Sequence, residues 1–419
     1  MHDQDAYLQY QMDKLADDGG PPDMGRGVAD NGHALASIGL TPVVPCVRSS
    51  DDNTTLEDPY KYFLRRILGL VPALDYAPAL SQGKWIHTRF EMIGVTEQKA
   101  VDDHMNMALL DVYDHICDLA NIGVGDTTIT RMKDTARTDM ILANSWYEGA
   151  AKISLPGYGT FVDYIMRDEW EIVCAEEDIR IPFRNTFITI RPDLVLYNKK
   201  KNTFYIVDLK SCAEATVVRG MTCPYEFQTW LYPWAFRLAL QHEWINHLQI
   251  PCDAKMGGMI HVLVRKPTIR LAKCDRPFIM ETDDKGKEKK VYTDEPDPAA
   301  YAVRCSDWYA MEMAQFTKSK DSDPNASPPV NISFTSGDLF EDILIHKQFH
   351  ESLERIHHYS TMKPEPFNFP RNFKAIRSYG RISPYAPFYI CPIQQWPEII
   401  AKERFVVEHR DPVPPMPST

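Results

Sequence analysis

Arg191-Pro192-Asp193-Leu194-Val195-Leu196-Tyr197 and, after a short basic turn, Phe204-Tyr205-Ile206-Val207-Asp208-Leu209-Lys210-Ser211 form the stretch that decides the fold. β-Branched and aromatic residues fill both runs, which predicts two strands joined by a polar turn at 199–202. Strand residues at i and i+2 share a side, so Asp208 and Lys210 face one pocket and Asp193 enters it from the neighbouring strand. Two carboxylates beside a lysine suit metal-dependent phosphodiester hydrolysis. The carboxylates hold a divalent cation, Mg or Mn, that activates water, and the ammonium orients that water or meets the charge developing on phosphorus.

The Asp-x-Lys triplet means little by itself, because the chain holds two others, Asp253-Ala254-Lys255 and Asp283-Asp284-Lys285. Neither sits in a β-rich run or follows a Pro-Asp strand across a short turn. Context therefore separates Asp208 and Lys210 from an exposed ion pair at a strand end.

Just upstream, alternation places Trp170, Ile172, Cys174 and Glu176 on one inward face. Glu176 is the candidate third carboxylate and Glu177 its alternative, against a solvated acidic strand end. Downstream, Gln228 and Tyr232 share a helix face between Trp230 and Trp234. Packing alone accounts for Tyr232; the polar Gln228 on that stripe is harder to dismiss. Arg180, Arg184, Arg191, Lys199, Lys200 and Lys201 supply phosphate contacts around the cleft and the tryptophans supply stacking surfaces. For Lys199, Lys200 and Lys201 the competing reading is a hairpin kept soluble by its charges.

Residues 1–55 are rich in Asp, Gly and Pro and read as an irregular or disordered arm. Asp58 as N-cap and Pro59 at the first position start a short helix over 59–68. Further helices are expected near 81–94, 97–120 and 126–153. Strands follow at 170–175, 179–183, 187–197, 204–209 and 258–264. A helix over 225–244 contains Pro233, which should kink or interrupt it. Residues 279–300 form a charged excursion able to turn a hairpin, 322–329 a loop, and 337–357 a long helix. This gives four regions: the arm 1–55, a helical region 56–155, a core 156–275, and an accessory hairpin, helix and C-terminal wrap over 276–419.

The 419 residues carry a net charge of −12, which argues against a protein that coats nucleic acid by charge alone but leaves a local basic groove open. Nine cysteines, without a Cys-x-x-Cys pair, read as reduced thiols. Met1-His2-Asp3-Gln4-Asp5 lacks a basic, then apolar, leader and no run reaches membrane-spanning length. A cytoplasmic protein without a membrane partner is expected.

In this order the motifs resemble the PD-(D/E)XK nuclease superfamily, in its RecB-like branch of phage exonucleases, AddB-type recombination nucleases and CRISPR-associated spacer-processing nucleases. Gly83-Lys84-Trp85-Ile86-His87 looks like the helical Gly-x-x-x-His motif and Glu176 like the strand acid. Arg191-Pro192-Asp193 matches the Pro-Asp step, Asp208-Leu209-Lys210 the Asp-x-Lys, and Gln228 to Tyr232 the Gln-x-x-x-Tyr motif. The segment around Val264-Arg265-Lys266-Pro267 is similar to one in phage members. The resemblance implies an α/β, restriction-endonuclease-like core: a central mixed β-sheet flanked by helices, with an N-terminal helical region and an irregular C-terminal region. It further implies that His87, Asp193, Asp208 and the Leu209 carbonyl bind the metal, with the imidazole tilting the preference towards Mn.

Many RecB-like relatives hold an iron–sulfur cluster with one cysteine before the first helix and three near the C-terminus. Here 56–62 has none, and the C-terminal echo keeps only Cys391. The cluster is predicted absent and replaced by apolar packing. The expected function is a metal-dependent DNA exonuclease or end-processing nuclease of phage-like recombination or replication, in host cytoplasm if phage-encoded. The competing reading is a catalytically silent nucleic-acid-binding scaffold that partners a helicase or recombinase.

Overall fold

A computed structural model describes residues 35–72, 78–184, 186–213, 216–282, 287–293, 297–321, 323, 326–341, 343–372, 374, 377–378 and 381–408. The chain forms two compact units: 1–75, 183–187 and 353–419 in one, and 76–182 and 188–352 in the other. The expected helical region 56–155 is thus shared between them.

The larger unit is built on strands β1 (Glu171–Ala175), β4 (Leu194–Asn198), β5 (Thr203–Cys212), β6 (Lys255–Arg265) and β9 (Val330–Ser336). They form a mixed five-stranded sheet in the order β9-β6-β5-β4-β1. Only β5 and β6 run parallel, and helices α4 (Thr216–Thr222) and α5 (Phe227–Gln241) make their crossover. Strands β2 (Ile179–Phe183) and β3 (Thr186–Ile190) pair separately. The fold is α/β with helices on both sides of the sheet, as the resemblance implies.

Period-two alternation divides the faces. Leu194, Leu196, Val207, Leu209, Ile260 and Val262 point to a core filled by helices α1 (Pro78–Phe90), α2 (Gln98–Asp118), α3 (Asp126–Ala151) and α6 (Pro298–Ser319). On the other face Phe204 meets Phe236 of α5, ring centroids 5.0 Å apart. Because Leu194 pairs with Val207 and Asp208 with His261, the register aligns Asp193, Asp208, Lys210 and His261 with this second face.

Several expected elements differ. The single strand over 187–197 is two, since Pro192 has no N–H for a ladder and the chain passes there from β3 into the main sheet. Helix α5 runs unbroken through Pro233, which has no N–H to offer the Thr229 carbonyl four residues back. The helix expected over 337–357 is a 3₁₀ turn, Gly337–Glu341, followed by α7 (Ile343–Thr361). Strand β9 and helix α6 were not anticipated. The 279–300 hairpin is present as β7 (Phe278–Thr282) and β8 (Glu288–Tyr292), and its 283–286 turn lies outside the described residues.

The smaller unit packs Tyr60, Tyr62, Phe63, Phe369, Phe388, Tyr389 and Trp396 into an aromatic core. Phe63 stacks on Phe369 at 4.6 Å and Tyr60 meets Tyr389 edge-on at 4.9 Å. Asp58 caps its helix by accepting from the Lys61 amide at 3.1 Å. The arm differs from its irregular reading: 1–34 lie outside the described residues, but Asp51–Glu57 is helical and Leu35, Leu40, Cys46 and Val47 are buried. Buried Asp51 anchors this helix through Arg66, 3.1 Å away. Among the described residues no helix is long and apolar enough to cross a membrane.

Gly258 sits where β6 crowds β9, with φ +147°, and a Cβ there would lie 2.3 Å from the Thr335 carbonyl oxygen. Backbone cannot yield as a side chain does. Gly258→Ala is expected to cost about 2–3 kcal/mol, read as a fall in the denaturant midpoint; an unchanged midpoint would show that the strand shifts freely.

Candidate active site

The site gathers where β4 begins and β5 nears its end. Helix α1 buries Trp85, Ile86 and Phe90 in the first core, which leaves His87, one residue on from Ile86, half-buried beside the start of β4. Its Nδ1 lies 3.1 Å from Asp193 Oδ1 and 3.5 Å from Glu176 Oε1. Ligand atoms of His87, Glu176 and Asp193 all fall within 4.8 Å of one another. Burial opposes charge on the imidazole, but the Asp193 and Glu176 carboxylates outweigh it and hold His87 up to about 10.

Alternation along β1 is not what delivers Glu176. The strand carries a bulge between Ile172 and Cys174, and Glu176 follows its end in the left-handed region at φ 47°. The Glu176 amide donates to the Pro192 and Asp193 carbonyls at 3.0 and 3.2 Å, which fixes that turn against the Pro-Asp step. Burial raises the Glu176 carboxyl above its usual range, the His87 hydrogen bond opposes this, and the Asp193 charge adds to it. Glu177 turns elsewhere, to His247 at 2.6 Å.

A left-handed Glu costs about 1 kcal/mol that glycine would not. Glu176→Gly keeps both amide hydrogen bonds, so its unfolding free energy is expected to stay within about 1 kcal/mol of the wild type. A large loss of thermal stability would show that the side-chain contacts outweigh the backbone strain.

Behind this triad, Asp208 and Lys210 form a second group. Lys210 Nζ lies 3.0 Å from Asp208 Oδ1 and donates to Gln228 Oε1 at 2.8 Å. Gln228 Nε2 donates to Asp208 Oδ1 at 3.0 Å, closing a ring of three side chains. Burial alone would raise the Asp208 carboxyl, but Lys210 and His261 more than reverse this and hold it well below its usual range. Burial likewise opposes the Lys210 charge, and Asp208 overrides it, so the ammonium is held above its ordinary range. A lysine held this firmly charged is a donor and a cation rather than a proton acceptor.

The two groups meet at Leu209, whose amide donates to Asp193 Oδ2 at 2.6 Å. Asp208 itself stands outside the triad: Oδ1 is engaged by Lys210 and Gln228, and Oδ2 lies 3.2 Å from His261 Nδ1. Tyr232 is buried on α5. Arg191 stands by Asp178 at 3.1 Å and Glu176 at 3.9 Å. Lys199, Lys200 and Lys201 are exposed in the turn at the far end of β4 and β5, about 20 Å from Asp193 at the rise of a strand, and Lys199 pairs with Glu171 at 2.5 Å. The structure does not bring them to the carboxylates, because a hairpin turn and its open end are separated by the strands' length.

Two residues escaped the sequence reading. His261 is fully buried and, among the described residues, its Nε2 has no hydrogen-bond partner; a histidine inside the apolar run Met259 to Val264 was the available signal. Glu91, one helical turn beyond His87, lies 3.1 Å from His104. Burial and the Glu176 charge raise its carboxyl. Nothing in its local sequence marks it.

Two carboxylates and an imidazole converging at one point fit a hard or borderline divalent cation. A mixed sheet between helix layers, with such a triad at a strand end beside a half-buried lysine paired with a buried aspartate, defines the restriction-endonuclease-like class of α/β proteins. A family model described as the PD-(D/E)XK nuclease superfamily matches residues 50–321, well over half of the sequence, and the chain belongs to that superfamily. Its members are generally nucleases and typically use divalent metals such as Mg or Mn. A search of curated proteins found no match.

Proposed function

We propose that this protein hydrolyses DNA phosphodiester bonds as an exonuclease or end-processing enzyme of phage-like recombination or replication. The observation that carries the reading is the convergence of His87, Glu176 and Asp193 beside a Lys210 that is paired with Asp208 and hydrogen-bonded to Gln228. His87, Glu176 and Asp193 would hold the cation, with Asp208 joining if its hydrogen bonds exchange. When bound, the cation polarises a phosphate oxygen and lowers the pKa of water towards neutrality.

The chain's own residues do the rest. Asp193, fixed by the Leu209 amide, presents one oxygen outward while the other is held. Lys210 offers its ammonium protons to the phosphate or to the attacking water, and Gln228 sets its direction. Asp208, itself buried, holds that half-buried cation where its field is less screened than in open water. Arg191, exposed beside Glu176, is the basic residue best placed to meet a phosphate next to the scissile one.

The test is digestion of end-labelled linear and closed circular DNA, single- and double-stranded, with Mg or Mn and with the Asp208→Ala protein alongside. Loss of label from linear DNA, with circles intact and the variant silent, is expected. Nicked circles would replace exonuclease with endonuclease, and equal rates for the two proteins would remove the site assignment.

A further inference from the structure

The hairpin of β7 and β8 has no part in the catalytic geometry and is costly as it stands. Phe278, Ile279 and Met280 are 45, 60 and 52 % exposed, on a two-stranded ribbon, an element that is marginal in water without a partner surface. At its base lies a cleft of about 560 Å³ lined by Lys273, Arg276, Lys289 and Lys290 over an apolar floor that includes Leu271 and Tyr292. Four cations and no carboxylate among its described lining residues stand out in a chain of net charge −12.

The cations are also placed. Lys273 Nζ lies over the Tyr292 ring at 4.5 Å and Lys290 Nζ over the Phe278 ring at 4.2 Å, an arrangement that orients an ammonium without neutralising it. Lys289 opposes Glu281, and alternation turns that pair, with Ile279 and Val291, to the ribbon face opposite Phe278, Met280, Lys290 and Tyr292. Clustered cations beside exposed apolar and aromatic side chains match a polyanion that carries flat, apolar groups along its length. Nucleic acid has this chemistry, with phosphates for Lys273 and Lys290 and sugars and bases for Phe278 and Met280 on the same ribbon face.

We propose that the β7–β8 hairpin and the cleft at its base dock the nucleic-acid backbone, as a surface separate from the catalytic residues in the same compact unit. The proposal rests on the nuclease reading above and adds where the substrate is gripped. Negative charge over the rest of the chain, Glu281 and Glu288 of the ribbon included, confines binding to such local patches.

The test uses the full chain in EDTA, so that binding is read without cleavage. Anisotropy of short fluorescein-labelled single- and double-stranded DNA is followed across NaCl concentration. Combined Lys273→Ala, Arg276→Ala, Lys289→Ala and Lys290→Ala substitution is expected to weaken binding at least about tenfold and to flatten log K against log [salt] by about 0.9 for each duplex phosphate no longer neutralised. Combined Phe278→Ser, Ile279→Ser and Met280→Ser is expected to weaken binding with the slope kept. Both variants should retain the wild-type circular dichroism spectrum and should hydrolyse bis(4-nitrophenyl) phosphate, too small to need a docking surface, at the wild-type rate. Unchanged affinity and slope in the four-residue variant overturn the proposal. So does loss of binding to phosphatidylserine vesicles with DNA binding intact, which would make the hairpin a membrane-binding element. A wild type that hydrolyses neither substrate with Mg or Mn refutes the nuclease reading instead, and the binding data distinguish the two failures.

Discussion

Replacing Lys210 with methionine is expected to lower the metal-dependent cleavage rate by about 100- to 1,000-fold, the loss that follows removal of one preorganised donor from a reacting centre. Methionine keeps most of the apolar stem and removes only the ammonium. The same change leaves Asp208, almost fully buried, with Gln228 and His261 but without the ammonium, at a stability cost of about 3 kcal/mol. Rates must therefore be compared well below the variant's melting temperature. Lys210→Arg supplies the control: it restores the charge in a fork too large for the Asp208–Gln228 ring, so stability should recover further than rate. Wild-type cleavage by Lys210→Met with unchanged Mn dependence would remove Lys210 from the reaction.

Asp193→Ala is expected to weaken Mn binding by more than about 100-fold, since even partners behind the direct donors of a metal site change affinity by about 10- to 100-fold. Asp193 holds two things at once, the His87 ring and the Leu209 amide. Its removal orphans a buried N–H, worth about 1–3 kcal/mol, and frees α1 from the start of β4. Titration calorimetry of the folded variant should show no saturable Mn site, and thermal melting should show the stability loss separately. Asp193→Asn keeps the shape and an oxygen for the amide, so it should regain stability without regaining Mn affinity. Undiminished Mn binding by either variant would move the metal away from His87, Glu176 and Asp193.

Much of this arrangement can be read before folding. The alternation in 204–210 puts Asp208 and Lys210 together, and the Pro-Asp step across a short turn brings Asp193 beside them, because pleat and hairpin register are local consequences of sequence. The four-residue spacing from Gln228 to Tyr232 similarly places both on the α5 face that meets the sheet. Harder to read was anything depending on where a strand stops. Glu176 reaches the triad through a bulge and a left-handed turn, a route that the alternation argument does not describe. Lys199, Lys200 and Lys201 lie close to Asp193 in sequence and a strand's length away in space. His261 meets Asp208 only through the parallel pairing of β5 with β6, which needs the whole crossover in place.

By itself the sequence determined the strand pair, its acidic and basic residues and the order of motifs that assigns the chain to its superfamily, since these rest on period-two and period-four neighbourhoods. Only the tertiary structure decided how those residues divide into a His87–Glu176–Asp193 triad and an Asp208–Lys210–Gln228–His261 network. That division depends on which lone pairs buried neighbours already occupy, and His87, Glu176 and His261 arrive from elements far apart in the chain.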